Sequence, residues 1–183
     1  MDADAGGWTV TESYRNAAAF PPDMTEAVAS RIADIATEAI TGIDPHTGLA
    51  SDFLNQFNEV LMLLDLADGD PALGRDLHAW RPRDYVEHFE ASELRDWALV
   101  IEAYALSPAS VRRRFDRLSD ELSAYILNGL ADLRLLHGDA ARHASAALAE
   151  RIRRRVESLS AIIHPAERRI DNDTISALFK RAR

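Results

Sequence analysis

Cysteine is missing from this 183-residue chain, which excludes disulfide bridges, thiolate nucleophiles and thiolate metal ligands alike. Lysine is all but missing: Lys180 stands alone, and every other basic residue is arginine. Arg and Ala recur from end to end, a compositional bias that leaves Arg-richness with little functional weight. Long apolar runs are lacking as well. No uncharged stretch approaches the roughly 18 residues that a membrane span requires, and the acidic start MDADAGGWTV lacks the apolar core of a secretory signal. The expectation is a cytoplasmic protein with no membrane partner.

Signatures of chemistry are equally scarce. The phosphate cradles G-x-x-x-x-G-K-[ST] and G-x-G-x-x-G do not occur, nor does the G-x-S-x-G hydrolase turn. No glutamate has a histidine three residues on, as di-iron bundles require, and no His-x-x-x-His pair marks a zinc site. Asp84–His88 and Asp139–His143 are four apart and would share a helix face, but capping and helix pairing account for them more simply. No metal ligand, cofactor or catalytic residue is assigned. A phosphotransfer histidine would have to stand exposed in mid-helix. His143 and His137 fall at helix ends, His78 and His88 in short elements, and His46 and His164 in or beside turns.

What is present is helical periodicity. Hydrophobic residues make up 47% of the chain and charged residues 28%, enough for one self-sufficient core. The longest signal runs over 108–137: Val111, Phe115, Leu118, Leu122 and Tyr125 recur in steps of four and three, then the stripe slips to Ile126, Leu130, Leu133 and His137. Ser107 and Pro108 suit its start and Gly138 its stop. After Asp139, the narrow stripe Leu148, Ile152, Val156, Leu159 and Ile163 predicts a long C-terminal helix with one antiparallel partner, the rod just before it.

Further helices are expected over about 23–41, opened by Asp23 with Glu26 and carrying Ile40 in its stripe, and over 51–66. The latter's wide apolar face points to deep burial against the rod. A third is expected over 92–106, with Trp97 and Ala98 in its core stripe. Short helices fit between 71 and 92, where Asp84 and Glu87 form a capping box, and Asp173 to Phe179 allow a last one. The fold class is all-α, a helical bundle built around the central rod. Residues 1–21, with Trp8, Tyr14 and Phe20, are an arm or tail; 22–183 form a single domain.

The net charge of −9 hides an asymmetry. Residues 1–110 carry 6 basic against 20 acidic residues, and residues 111–183 carry 15 against 10. The simplest use of this is pairing within the fold or across a dimer, and an acidic protein is repelled by phosphate backbones, so no nucleic-acid partner is expected. The densest collection of binding-type residues is Trp80, Arg81, Arg83, Tyr85 and His88, followed by Phe89. Aromatics and arginines concentrate at pockets and interfaces, although such rings can equally close the end of a bundle. The leading functional expectation is a non-catalytic helical bundle that acts through protein–protein contacts, as a homodimer or with another protein. The alternatives are a small-molecule-binding protein or enzyme with a pocket near Trp80–Phe89, and a phosphotransfer-type signalling bundle.

Overall fold

The periodic stretches fold as helices throughout a computed structural model that describes residues 23–66 and 71–165. Seven α-helices follow in order: α1 Glu26–Glu38, α2 Asn55–Leu66, α3 Pro71–Ala79, α4 Tyr85–Glu90, α5 Trp97–Leu106, α6 Ala109–Leu133 and α7 Gly138–Ile163. A 3₁₀ turn, Ser51–Leu54, leads into α2. The chain is an all-α bundle. The expected arm at 1–21, residues 67–70 and the short helix expected around Asp173–Phe179 lie outside the described residues.

The rod α6 holds 25 residues, about 37 Å at 1.5 Å each. It ends at Leu133 because the backbone tightens there: the amides of Leu135 and Leu136 reach the carbonyls of Asp132 and Leu133, three residues back. Gly138 then opens α7 in the left-handed region, at φ +59°, rather than closing α6. The two long helices run antiparallel, since Gly129 meets Leu148 and Tyr125 meets Arg155. Phe115, Leu122, Ile126 and Leu130 are buried along α6, and Leu148, Ile152, Leu159 and Ile163 along α7.

Here the structure corrects the expected packing. The close neighbours of α2 are α7 and α3 rather than the rod. Helix α7 therefore serves two partners, which its narrow stripe of large residues did not suggest. Small residues make up the difference: Ala149 is buried, and Ser145 donates to the Leu64 carbonyl at 3.2 Å.

Two further corrections concern helix ends. Asp23 does not cap α1; Thr25 does, accepting from Val28 N–H. The Asp23 carboxylate instead accepts from Ser110 N–H at 2.7 Å and Oγ at 3.0 Å, capping α6 from 87 residues away. Ser107, expected to do that work, turns its hydroxyl to the Thr47 carbonyl at 2.6 Å. Likewise α5 starts at Trp97 rather than at 92, and Asp96 spends both carboxylate oxygens on Thr41, at 2.7 Å to its N–H and 2.7 Å to its Oγ1. Ile40 and Trp97, assigned to core stripes above, flank this junction and face outward, 88% and 40% exposed.

The connection 41–50 is a buried knot. Asp44 Oδ1 accepts from the amides of His46 and Thr47, Asp44 Oδ2 lies 3.3 Å from His164 Nδ1, and Thr47 Oγ1 donates to the Ile163 carbonyl. Gly48, at φ +70°, lies so close to α5 that a Cβ would sit 2.5 Å from the Ala103 carbonyl oxygen.

Candidate functional site

The segment between α3 and α4 is held extended by one side chain. Gln56, buried on α2, donates its amide to the Arg83 carbonyl at 3.2 Å and accepts from Arg83 N–H at 3.0 Å. Sequence reading passed over Gln56, because a polar residue between Phe53 and Phe57 gives no sign of what it will clamp. Trp80 is pinned by the same turn, its Nε1–H donating to the Gln56 carbonyl at 3.2 Å. The Asp84–Glu87 capping box then opens α4 as its spacing foretold.

Tyr85 goes into the core, and His88 lies half-buried at its edge. The Tyr85 ring is stacked between Phe53, with centroids 5.2 Å apart, and Tyr104, at 4.3 Å. Its oxygen accepts from Ala50 N–H at 2.7 Å, and burial pushes its pKa well above the ordinary tyrosine value. His88 meets Phe53 and Phe89 edge-on at 5.4 and 5.0 Å, and its buried Nδ1 has no hydrogen-bond partner. Burial lowers its pKa, with the Arg83 charge acting in the same sense, so the ring is folded in neutral.

Of the five candidates, the structure brings three together. Trp80, Arg81 and Arg83 line a cavity of about 420 Å³ whose remaining wall is Gln56, Glu59, Asp76 and Ala79. Arg81 caps α3, donating to the Trp80 carbonyl at 2.7 Å and the His78 carbonyl at 3.2 Å. Among the described residues neither arginine has a carboxylate within 4 Å. Tyr85 lines a different cavity, and His88 lines neither.

That second cavity, about 260 Å³, lies between α4, α5 and α6. Phe53, Tyr85 and Phe115 form its buried floor, and Asp84, Asp116 and Asp120 stand around it. Tyr104 donates its hydroxyl to Asp116 Oδ1 at 2.8 Å, and burial raises both pKa values. The sequence carried a faint trace of this site, since Asp116, Ser119 and Asp120 share one face of α6 by spacing. Polar positions on a helix ordinarily mean no more than a solvated face.

Among the described residues no group of three or more His, Asp or Glu side chains could hold a metal ion. None of the described helices is long and apolar enough to cross a membrane. No family model, no curated protein and no solved structure matches this chain, so its class rests on the fold itself, an all-α bundle.

Proposed function

We propose that this chain is a non-catalytic helical-bundle protein that acts through protein–protein contact, and that its first partner is a second copy of itself. One observation carries the proposal: α5 is apolar on both sides. Val100 and Ala103 face the core, while Trp97, Ala98, Ile101 and Ala105 fall on a second stripe that is exposed or half-exposed. Its single charged residue, Glu102, is tied back to Arg31 at 2.7 Å. Ile40 extends the outer stripe across the Thr41–Asp96 junction, whose hydrogen bonds mount both large side chains on rigid backbone.

A tryptophan on a rigid apolar helix is the usual anchor of an interface, and the flanking alanines let another helix come close. Burying each large side chain is worth about 1.5–3 kcal/mol. A two-fold arrangement would set this stripe against itself. The acidic first part and the basic last part of the chain would then orient the pair without holding it, since exposed ion pairs contribute about 0–1 kcal/mol each.

Light scattering coupled to size exclusion tests this reading. At tens of micromolar the wild type should elute at twice the 20.3 kDa of one chain, and Trp97→Ser combined with Ile40→Ser should elute as a monomer with unchanged helicity. A wild-type mass near 20.3 kDa would defeat the dimer. The cavity shared by Trp80, Arg81 and Arg83 favours a second reading, a small anionic ligand held by the two arginines that make no ion pair.

A further inference from the structure

We propose that the cavity between α4, α5 and α6 is a binding site for an organic cation, a protonated alkylamine or a guanidinium group. Three carboxylates surround it, and among the described residues none of Asp84, Asp116 and Asp120 has a cationic partner within 4 Å. Arg112 acts on Asp116 through its charge but makes no ion pair with it: its guanidinium donates to the Ala105 carbonyl at 2.9 Å at the end of α5 and lies 5.7 Å from the centre of the Tyr104 ring. Among the described residues the three carboxylates therefore stand without an ion pair.

An independent observation points the same way. Ser119 lines the cavity, is only 7% exposed, and among the described residues no group hydrogen-bonds its hydroxyl. Serines in helices commonly turn back to the carbonyl four residues earlier, as Ser158 does to Arg154 at 3.0 Å. Ser119 does not. Its oxygen is not sealed off but still reaches the cavity space, where a ligand N–H donor would find an open acceptor.

The chemistry of the walls selects among cations. A divalent metal ion needs several oxygens converging at about 2.3–2.6 Å or closer, and no such group exists among the described residues. The floor of Phe53, Tyr85 and Phe115 offers apolar surface that a bare ion cannot use but methylene groups can. An alkylammonium fits both halves: its carbon chain lies on the rings, and its N–H donors meet Ser119 Oγ and the Asp116 oxygen that Tyr104 leaves open. The volume holds about eight or nine water equivalents at roughly 30 Å³ each, room for a headgroup and a short chain rather than a whole metabolite. The Asp116 pKa is raised chiefly by burial, against the Tyr104 hydrogen bond and the Arg112 charge, which lower it, while the Asp120 and Asp84 charges add smaller rises.

The same headgroup occurs on free amines and on lysine or arginine side chains, and the experiment separates these sources. Full-length protein is titrated at constant ionic strength with n-butylammonium, n-butylguanidinium and N-acetyl-lysine methylamide, following amide shifts by NMR and heat by calorimetry. Saturable one-site binding with a dissociation constant below about 1 mM, with shifts centred on Ser119 and Asp120, is expected for at least one probe. Saturation by the lysine derivative alone would assign the site to a peptide side chain; saturation by the free amines would assign it to a small molecule. Asp116→Asn should weaken binding about tenfold or more and Ser119→Ala several-fold, while Glu157→Gln on the far helix α7 should leave it unchanged. Shifts that rise linearly and equally with potassium chloride, or affinity that survives both Asp116→Asn and Ser119→Ala, would overturn the proposal.

Discussion

A neutral imidazole half-buried against aromatic rings makes stability depend on pH. Both His88 and His78 have pKa values below the ordinary 6.5, burial being the first cause in each, with Arg83 and Arg134 respectively pushing the same way. The unfolded chain therefore binds protons where the folded one does not. Stability from these groups is fully present above about 6.5 and falls as the pH drops through that value towards the lower folded pKa. His88→Gln removes one of the two, so denaturant melts at pH 7 and pH 5 should show a smaller acid loss than the wild type. An equal loss would show that His88 is not held neutral by the fold. In the sequence His88 was legible as one of a cluster of rings and charges, but composition does not distinguish rings that line a pocket from rings that fill a core. Phe53 touches both Tyr85 and His88, drawing them away from the cavity of Trp80, Arg81 and Arg83.

At the scale of elements, what could be read from sequence depended on how far apart the partners lie. The Asp84–Glu87 capping box is local, three residues wide, and stands where its spacing put it. The Thr41–Asp96 tie at the start of α5 and the Asp23 cap of α6 join residues 55 and 87 apart, and no local pattern announces them. The same holds for helix partners. The breadth of α2's apolar face announced its burial but not its partner, which is α7, with Ala149 buried and Ser145 bonded to Leu64, rather than α6. The long-range cap carries its own prediction. Asp23→Ala should speed amide hydrogen exchange at Ser110 and the turn that follows, because that N–H loses the carboxylate that accepts it; Asp23→Asn should speed it less. The lowered pKa of Asp23, due first to the Ser110 backbone bond, gives the pH sense: protection is present above about 3.8 and is lost as acid protonates the carboxylate. Exchange at Ser110 indifferent to both substitutions would remove Asp23 from the cap.

For the molecule as a whole, the buried knot at 41–50 joins parts of the chain that local helix formation leaves independent. Thr47 gathers them. Its Oγ1 donates to the carbonyl of Ile163 at the end of α7, 116 residues on, and accepts from Leu49 N–H at 3.3 Å, while its carbonyl takes the Ser107 hydroxyl from the joint between α5 and α6. All of these groups are buried, where water cannot replace a lost partner. Thr47→Val keeps the shape and removes only the hydroxyl, so it should cost about 1–3 kcal/mol, the penalty for stranding a buried acceptor and donor. Because the knot touches the loop before α2, the α5–α6 joint and the end of α7 together, the loss should appear in a single cooperative transition. The denaturant midpoint should fall while the slope of the transition stays unchanged. A loss below about 0.5 kcal/mol, or a biphasic melt in which α7 separates early, would show that the long helices hold together by their apolar seam alone and that the knot merely fills the space between them.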